Sequence, residues 1–347
     1  MANEVDTVMY QWIKVVSRYV LIEDVFLFKG DIMKRLLVVL LTLLMLTGCS
    51  SGAKYNVGVI QLVQHDALDA ATQGFKDTLE NEFGKNVNVI VQDAAGESSN
   101  CNAIATSFIA DGVDLIMANA TPALQAAAHA TVSNPIPVLG TSVTEYGVAL
   151  DIDNFNGLVG TNVSGTSDQA NLDAQAQMII DLLPGVKTVG LLYCITEANS
   201  SYQVNMVSNY LNAKGINTVV KDFSDSNDIA LKVDDLCSQI DALYIPTDNT
   251  CASNSTIIAT AAEKYDIPVF TGEKATCIST NAVATLSIDY YNLGVVTGKM
   301  AISILKGEAD IANMEIEYDD NPVRMYNKDV AEHFGVNIPA DYVAIED

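Results

Sequence analysis

The sequence predicts an α/β protein with two doubly wound parallel-sheet lobes and a cleft between them. Short apolar runs alternate with segments of helical period along most of the chain. The runs are almost continuously apolar, which is typical of parallel strands covered by helices on both faces. The alternation occurs as two comparable series, separated by a Gly-, Asn- and Asp-rich stretch at residues 143–168.

The first series begins at residue 55. Its predicted strands are 55–62, 87–93, 114–120 and 136–141, and its predicted helices are 67–84, 102–112 and 122–133. Leu68 and Phe75 follow helical spacing in the first of these helices, and Gly84 predicts its end. Thr121 and Pro122 are suited to the N-cap and first position of a helix.

The second series begins near residue 173. Its predicted strands are 187–194, 216–223, 241–246, 267–272 and 282–289, and its predicted helices are 173–185, 201–215, 229–239, 255–266 and 291–307. Residues 143–168 lack a helical period and are interpreted as a crossing and loop region. We therefore expect one lobe from 49–160 and 290–312, and the other from 161–289 and 313–347.

The N-terminal part of the chain has the layout of a secretory signal. Residues 34–52 read KRLLVVLLTLLMLTGCSSG, with two basic residues before an apolar run and small residues before Cys49. The run covers 36–46, about half of the roughly 20 residues that a membrane-spanning helix needs. The ending "LTGC" resembles the lipobox of bacterial lipoproteins, which implies lipidation of Cys49 after removal of a signal at 33–48. The alternative is a short hydrophobic helix that merely contains a cysteine.

Residues 1–32 precede this signal. We expect them to be an artificial extension, produced because the start codon was assigned too far upstream. Met33, followed by Lys-Arg, is a natural start. The alternative is a genuine amphipathic N-terminal segment. Both possibilities leave residues 1–48 outside the predicted fold.

Composition excludes several classes of function. The net charge of −25 opposes binding to nucleic acid, because phosphate backbones are repelled by such a surface. The six cysteines show no CxxC spacing and the three histidines lie far apart, so we expect no metal site and no cofactor. The chain lacks GxSxG, P-loop, HExxH and GxGxxG patterns in the required contexts, so we do not expect an enzyme.

The segments that follow the predicted strands are polar and carry a resemblance to a known family. The matching phrases are VGVIQLVQHDALDAATQGF, DLIMANATPALQAAA, IPVLGTSVTEYG, GLLYCITEANSSYQV, DALYIPTDNT and LSIDYYNLGVVTGKMAISILKG. Together they resemble the substrate-binding lipoproteins of bacterial ABC importers, in the family that includes tryptophan- and tyrosine-binding components. DAAGES at 93–98 departs from the Asn-Ala-Gln-Gly-Asp phrase usual there, which puts any ligand contact at that segment in doubt.

The resemblance implies a fold, a location and partners. The fold would be of the type I periplasmic-binding-protein kind, closing its two lobes on a small molecule. The protein would be a monomer, held on the extracytoplasmic face of the cell membrane by its lipid anchor, and would dock on an ABC permease with its ATPase subunits. The ligand would be an aromatic amino acid: tryptophan, phenylalanine or tyrosine.

A free amino acid needs a buried carboxylate for its ammonium group, and amides or hydroxyls for its carboxylate. In open α/β sheets ligands lie beyond the carboxyl ends of the strands. The candidate ligand-binding residues there are Gln61, Thr121, Ser142, Thr144, Glu197, Ser200, Asp248, Asn249 and Asp289. His65, Glu145 and Glu273 are weaker candidates, and Leu62, Ala67, Leu68, Ala123 and Tyr290 could line a pocket for a ring.

Each candidate also has a purely structural interpretation. Thr121 and Asp289 could be helix N-caps only. Glu197 could supply a negative charge to the first turn of a helix, and Asp248 with Asn249 could form a plain turn.

Three other functions stay open at this stage. A receptor of the same fold could bind a nucleoside or a sugar, because the same acids could accept from ribose hydroxyls. An enzyme could use Cys194 or Cys251 as its nucleophile, although nothing in the sequence supplies a basic partner. An effector domain of a transcription factor would need a DNA-binding segment, which the charge opposes.

Overall fold

The computed structural model describes residues 53–346 apart from Asp320. The predicted signal, the segment before it and the proposed lipidation site Cys49 lie outside the described residues. In the described part of the chain, no helix is long and apolar enough to cross a membrane. The five cysteines in this part are buried free thiols, so none of them is joined to another in a disulfide.

The described residues form thirteen strands. In chain order these are β1 Tyr55–Gln61, β2 Val87–Asp93, β3 Leu115–Asn119, β4 Val138–Val143, β5 Val163–Ser167, β6 Thr188–Cys194, β7 Asn217–Phe223, β8 Ala242–Ile245, β9 Val269–Thr271, β10 Ala284–Ser287, β11 Glu317–Tyr318, β12 Val323–Tyr326 and β13 Val343–Ala344.

Twelve α-helices connect the strands in the same part of the chain. They are α1 Asp66–Phe83, α2 Ser98–Asp111, α3 Thr121–Ala130, α4 Tyr146–Ala149, α5 Leu172–Leu182, α6 Ala198–Ala213, α7 Ile229–Cys237, α8 Asn249–Ser253, α9 Ser255–Tyr265, α10 Lys274–Ser279, α11 Tyr290–Leu305 and α12 Lys328–His333.

The strands pair into two sheets, which confirms the predicted α/β class with two lobes. The first sheet has the order β11-β5-β4-β3-β1-β2 and the second has the order β13-β12-β10-β9-β8-β6-β7. In each lobe the first strand of the series lies between the second and the third, so the strand order reverses beside it. A crevice opens beyond the strand ends at such a reversal, and this is where ligands bind in open parallel sheets.

Burial explains why the apolar runs became central strands. Every residue of β3, β4 and β8 is buried, because helices cover both faces of each sheet. The edge strands β2 and β7 instead mix buried or half-buried residues with exposed ones. The predicted strands and long helices are all present, with ends that shift by a few residues.

The boundary between the lobes differs from the predicted one. β5 pairs with β4 and β11 pairs with β5, so residues 163–167 and 317–318 belong to the first sheet. We expected 161–289 and 313–347 in the second lobe because β5 reads VSGTS, which lacks an apolar run. The strand is nonetheless fully buried, because its small side chains pack inside the first lobe.

The chain crosses between the lobes three times, after β5, after β10 and after β11. The crossing after β10 leads into α11, which packs on α1 and β4 of the first lobe as predicted. This packing brings the two helices into backbone contact. A Cβ atom at Gly294 would lie 2.0 Å from the carbonyl oxygen of Ala71, and one at Gly74 would lie 2.1 Å from that of Tyr291. Glycine is therefore required at both positions, and α11 is fixed firmly to the first lobe.

Candidate functional site

Side chains from both lobes meet in a cavity at the carboxyl ends of the strands. The volume left free between these side chains is only about 10 Å³, room for about one water molecule. Its lining residues are His65, Ala67, Leu68, Ser142, Asp168, Asn199, Thr247, Asp248, Asn249, Ala252, Glu273 and Tyr290. The predicted candidates Ser142, Asp248 and Asn249 are among them, as are His65, Glu273 and Tyr290.

Three hydroxyl groups of the first lobe are buried without a hydrogen-bond partner in the described part of the chain. They belong to Thr121, Ser142 and Thr144, all of which the sequence predicted as ligand contacts. Thr121 is only 1% exposed and begins α3, but its side chain caps nothing. The N-cap interpretation of Thr121 is therefore wrong. A buried hydroxyl without a partner is unfavourable, so Ser142, which lines the cavity, is suited to a group that a bound molecule brings.

The backbone next to these hydroxyls is strained. Ala120 has φ 93° and ψ 157°, a region that is almost restricted to glycine, and Ser142 has a φ of 53°. The register of β4 against β5 shifts between Gly140 and Val143, so Ser142 lies in an irregular part of the strand. Strain of this kind accumulates at binding sites, where it fixes the direction of a side chain.

Asp168 lies where β5 ends and is a site residue that the sequence analysis missed. Its carboxyl group is 4% exposed, and its Oδ2 accepts a hydrogen bond of 2.8 Å from the hydroxyl of Tyr290. Its Oδ1 has no hydrogen-bond partner among the described residues. Burial, and to a smaller extent the nearby Glu273, raise the pKa of Asp168, while the hydroxyls of Tyr290 and Thr144 act in the opposite direction. The Thr144 hydroxyl is close enough to lower this pKa but forms no hydrogen bond of normal geometry with Asp168. Polar residues directly after a parallel strand are candidate ligand contacts. This rule would have included Asp168 if β5 had been predicted as a strand.

Glu197 lies in the predicted loop, but its carboxylate is occupied by protein donors. Oε2 accepts from the backbone N–H and side-chain amide of Asn249 at 3.1 and 2.6 Å. Oε1 accepts from the backbone N–H and hydroxyl of Thr250 at 2.9 and 2.8 Å. Two carboxylate oxygens offer about four acceptor sites, and all four are used. Burial first, and the nearby Asp248 second, raise the pKa of Glu197, while the bonds from Thr250 and Asn249 lower it.

Asp248 and the residues near it organise the same loops of the second lobe. Its oxygens accept from the backbone N–H groups of Cys194, at 2.7 Å, and Cys251, at 2.8 Å, so it joins β6 to the first turn of α8. Asn199 donates to the carbonyl oxygen of Thr247 at 2.9 Å, and its own Oδ1 is buried without a partner in the described chain. The predicted contact Ser200 is also buried there with an unpaired hydroxyl.

Six of the nine predicted contacts do not line the cavity, namely Gln61, Thr121, Thr144, Glu197, Ser200 and Asp289. Two of them, Gln61 and Asp289, have other roles. Gln61 donates to Val63 and Asp69 and accepts from Thr72, so its amide belongs to the first lobe's internal network. Asp289 is exposed and caps α11, accepting from the N–H of Asn292 at 3.1 Å.

The two weaker acidic candidates are also helix caps. Glu145 accepts from Val148 at the start of α4, and Glu273 accepts from Ala275 and Thr276 at the start of α10. Glu273 still borders the cavity, whereas Glu145 does not.

The electrostatics of the cleft favour a ligand with a positive group. Asp168, Glu197, Asp248 and Glu273 are each no more than 4% exposed. Among the described residues that line the cavity, none is Lys or Arg. The described residues also contain no group of three or more His, Cys, Asp or Glu side chains placed to hold a metal ion. The cleft therefore offers acceptors and hydroxyls, and it disfavours phosphates or other polyanions.

Two lobes of this strand order, with a polar cavity between them, define a two-lobe binding protein for a small molecule. The chain belongs to the family described as ABC transporter substrate binding protein, which matches residues 56–345. A tyrosine-binding protein of Clostridioides difficile (strain R20291) is 34% identical over 253 residues, covering 67% of this chain and 72% of the relative.

Two solved structures are informative relatives. An ABC domain from Streptococcus pneumonia in complex with L-Trp is 31% identical, with a TM-score of 0.77 over 82% of this chain and 96% of its own. A ligand-free, open substrate-binding protein with adhesive properties from Clostridium difficile is 34% identical, with a TM-score of 0.63 over 84% of this chain and 100% of its own.

Removal of the Glu197 carboxylate should destabilise the fold. Glu197→Ala leaves four buried or half-buried donors without an acceptor. We expect a loss of about 2–5 kcal/mol in the free energy of unfolding, measured with urea on the ligand-free protein. Glu145→Ala, which removes a cap with one acceptor bond, is the control and should cost about 0.5–2 kcal/mol. A Glu197→Ala protein of unchanged stability that no longer binds ligand would contradict this role.

Asp168→Asn should stabilise the ligand-free protein at neutral pH. The raised pKa of Asp168 means that the folded protein holds this proton more tightly than the unfolded chain does. Its contribution to stability is therefore fully present below the ordinary aspartate pKa, about 3.9, and is lost as the pH rises through the folded value. We expect a higher Tm than wild type at pH 7, with the difference vanishing towards pH 4. Asp289→Asn should match wild type at both pH values, and an Asp168→Asn protein that melts lower at pH 7 would contradict the expectation.

Proposed function

We propose that this chain is the lipid-anchored, extracytoplasmic receptor of an ABC importer and that it binds a free aromatic amino acid. The unpaired Oδ1 of Asp168, buried in a cleft whose described lining has no Lys or Arg, is the observation that carries the proposal. An ammonium group that donates to this oxygen removes the cost of an unpaired buried carboxylate. Pairing with a cation also favours the ionised form of Asp168, against the effect of burial.

Hydroxyl groups would bind the other end of the amino acid. Thr121, Ser142 and Thr144 from the first lobe and Ser200 from the second are buried donors that lack a partner in the described chain. Ser200 lies in the first turn of α6, a helix of 16 residues, where the helix dipole favours a negative charge. Donors from both lobes can then share one carboxylate, which would favour closure of the cleft on the ligand.

The aromatic nature of the side chain is supported by the relatives. One is a tyrosine-binding protein and another was solved with L-Trp, and both are more than 30% identical to this chain. Ala67, Leu68 and Ala252 supply apolar surface in the cavity, as a ring requires. Leu68 and Ala67 were predicted as lining residues from the sequence.

We infer that the conformation described is the closed one. The chain has a TM-score of 0.77 to the L-Trp complex but only 0.63 to the ligand-free, open relative, although the second is the more similar in sequence. His65 of the first lobe also lies 3.1 Å from Asn249 of the second, measured from Nε2 to Oδ1. A direct contact between lobes is expected of a closed receptor.

A purely binding function agrees with the state of the cysteines. Burial raises the pKa of the Cys194 thiol, and it raises that of Cys251 much further. A thiol reacts through its thiolate, so neither side chain is suited to nucleophilic catalysis. We therefore propose a receptor without enzymatic activity, which docks on the permease and ATPase subunits of its importer.

Anchoring through Cys49 has a direct test. Expression of the full chain in a bacterium with radiolabelled palmitate should label the protein and place it in the membrane fraction, because a lipidated cysteine holds it there. Cys49→Ser should abolish both the label and the membrane association. Label that persists in Cys49→Ser would contradict this anchor.

The ligand can be identified by fluorescence, because the chain has a single tryptophan, Trp12, and the chain from Ser50 onward has none. Residues 53–347 form one compact unit, so this part is a suitable reagent. L-tryptophan added to it should show a saturable blue shift, and Asp168→Asn should weaken its binding by about 100-fold or more. Asp289→Asn, an exposed cap, should bind like wild type.

Thermal shifts with other compounds distinguish the alternatives. Tyrosine and phenylalanine should stabilise the protein, whereas ribose and adenosine should not. Stabilisation by ribose or adenosine without a response to any amino acid would favour the nucleoside or sugar receptor and would overturn the amino-acid assignment.

A further inference from the structure

We propose that His65 couples ligand binding to closure of the lobes, because one ring nitrogen bonds to the opposite lobe while the other is free to bind a ligand. Nε2 bonds to Asn249 of the opposite lobe, and Nδ1 is buried without a partner in the described chain. His65 also lines the cavity. The inference rests on the proposed function, since Nδ1 would accept a hydrogen bond from an N–H or O–H group of the bound amino acid.

The orientation of Asn249 determines which nitrogen of His65 carries the proton. The side-chain amide of Asn249 donates to Glu197 at 2.6 Å, and that carboxylate already accepts three other hydrogen bonds. The ionised carboxylate of Glu197 only accepts, so in that state Nδ2 of Asn249 faces it and Oδ1 faces His65. Nε2 of His65 is then the donor, and in the neutral ring Nδ1 carries a lone pair.

The lone pair at Nδ1 gives His65 a role that a simple bridge between lobes would not need. Its burial without a partner costs free energy unless the ligand supplies a donor. His65 is the extended residue directly before α1, so the start of that helix sets the position of its backbone. When a donor on the ligand bonds to Nδ1, it orients the imidazole so that Nε2 can bond to Asn249. Ligand binding and lobe closure therefore favour each other.

Glu197 takes on a defined function in this arrangement. Glu197 does not line the cavity. It accepts a hydrogen bond from the side-chain amide of Asn249, which in turn bonds to the imidazole of His65. It is a positioning residue, three hydrogen bonds away from the ligand. Asn249, predicted from the sequence as a ligand contact, becomes the acceptor on which the first lobe closes.

The donor on the ligand has two possible sources, the ammonium group and the polar hydrogen of the side chain. L-phenylalanine offers only the ammonium, L-tryptophan adds the indole N–H, and 1-methyl-L-tryptophan has the indole without that N–H. Comparison of the three ligands therefore assigns the source. If His65→Phe weakens all three equally, the ammonium donates to Nδ1. If it weakens L-tryptophan alone, the indole N–H donates.

The test measures dissociation rates and affinities of the Ser50-onward protein by stopped-flow fluorescence and calorimetry. His65→Phe keeps the ring volume but removes both nitrogens, and it should raise the dissociation rate of L-tryptophan by about 10-fold or more. His129→Phe, an exposed position on α3, is the matched control and should not change the rate. The ligand-free Tm of His65→Phe should equal that of wild type, because its bond to Asn249 forms only on closure.

A double-mutant cycle tests the coupling between the lobes. Asn249→Ala should also weaken binding, and the double variant with His65→Phe should bind about as weakly as the weaker single variant. Independent, multiplicative losses, or wild-type rates in His65→Phe, would overturn the coupling. If wild-type protein binds no amino acid at all, it is instead the proposed function that has failed.

Discussion

The cost of a buried carboxylate oxygen without a partner is the constraint on which the cleft depends. Asp168 follows β5 at the first crossing between the lobes, and Tyr290, which donates to its other oxygen, begins α11 at the second. A cation bound to Asp168 therefore contacts a carboxyl group that is already joined to two of the three crossings. Under the proposed function, the charge of the ligand would therefore act on the hinge through a single side chain, Asp168, and would favour closure of the lobes.

Three buried carboxyl groups line the cleft and a fourth, Glu197, lies behind Asn249, and the donors around each one determine its role. Glu197 has all its acceptor sites used, and Asp248 and Glu273 each bind two backbone N–H groups. These three hold the loops and first helical turns of the second lobe in place. Asp168 accepts a hydrogen bond from Tyr290 on Oδ2, and its Oδ1, near the Thr144 hydroxyl, keeps capacity for a ligand. The same type of side chain therefore either supports the fold or remains available to a ligand. The difference is the number of hydrogen bonds that the protein already donates to it.

The sequence predicted the alternation of strands and helices well, because apolar runs and helical spacing are local signals. It missed β5, whose VSGTS residues are buried by tertiary packing and not by their own hydrophobicity. That omission concealed Asp168 and moved the lobe boundary. It also missed the short helices α8 and α10, since a helix of five or six residues is stabilised by its caps, here Asp248 and Glu273, more than by periodicity.

Residue type and position after a strand located the cleft but could not assign roles within it. The predicted residues Ser142, Thr144, Thr121 and Ser200 all have unpaired buried hydroxyls in the described chain, and of these four Ser142 lines the cavity. Glu197 has the right type and position, yet its oxygens are used by Asn249 and Thr250, which only three-dimensional contacts reveal. The hydrogen bonds of Asp289 and Gln61 are also made within the protein. Asp289 caps α11, and Gln61 belongs to a hydrogen-bond network inside the first lobe.

Pairing of Asp168 with the ligand ammonium is tested most directly by removing the ammonium instead of the carboxylate. Calorimetry would compare L-tryptophan with indole-3-propionate, which keeps the ring and the carboxylate but lacks the amino group, on wild-type and Asp168→Asn protein. We predict that wild type prefers L-tryptophan by about 100-fold or more and that this preference largely disappears in Asp168→Asn. Equal binding of the two compounds to wild type, or an undiminished preference in Asp168→Asn, would contradict the role assigned to Asp168.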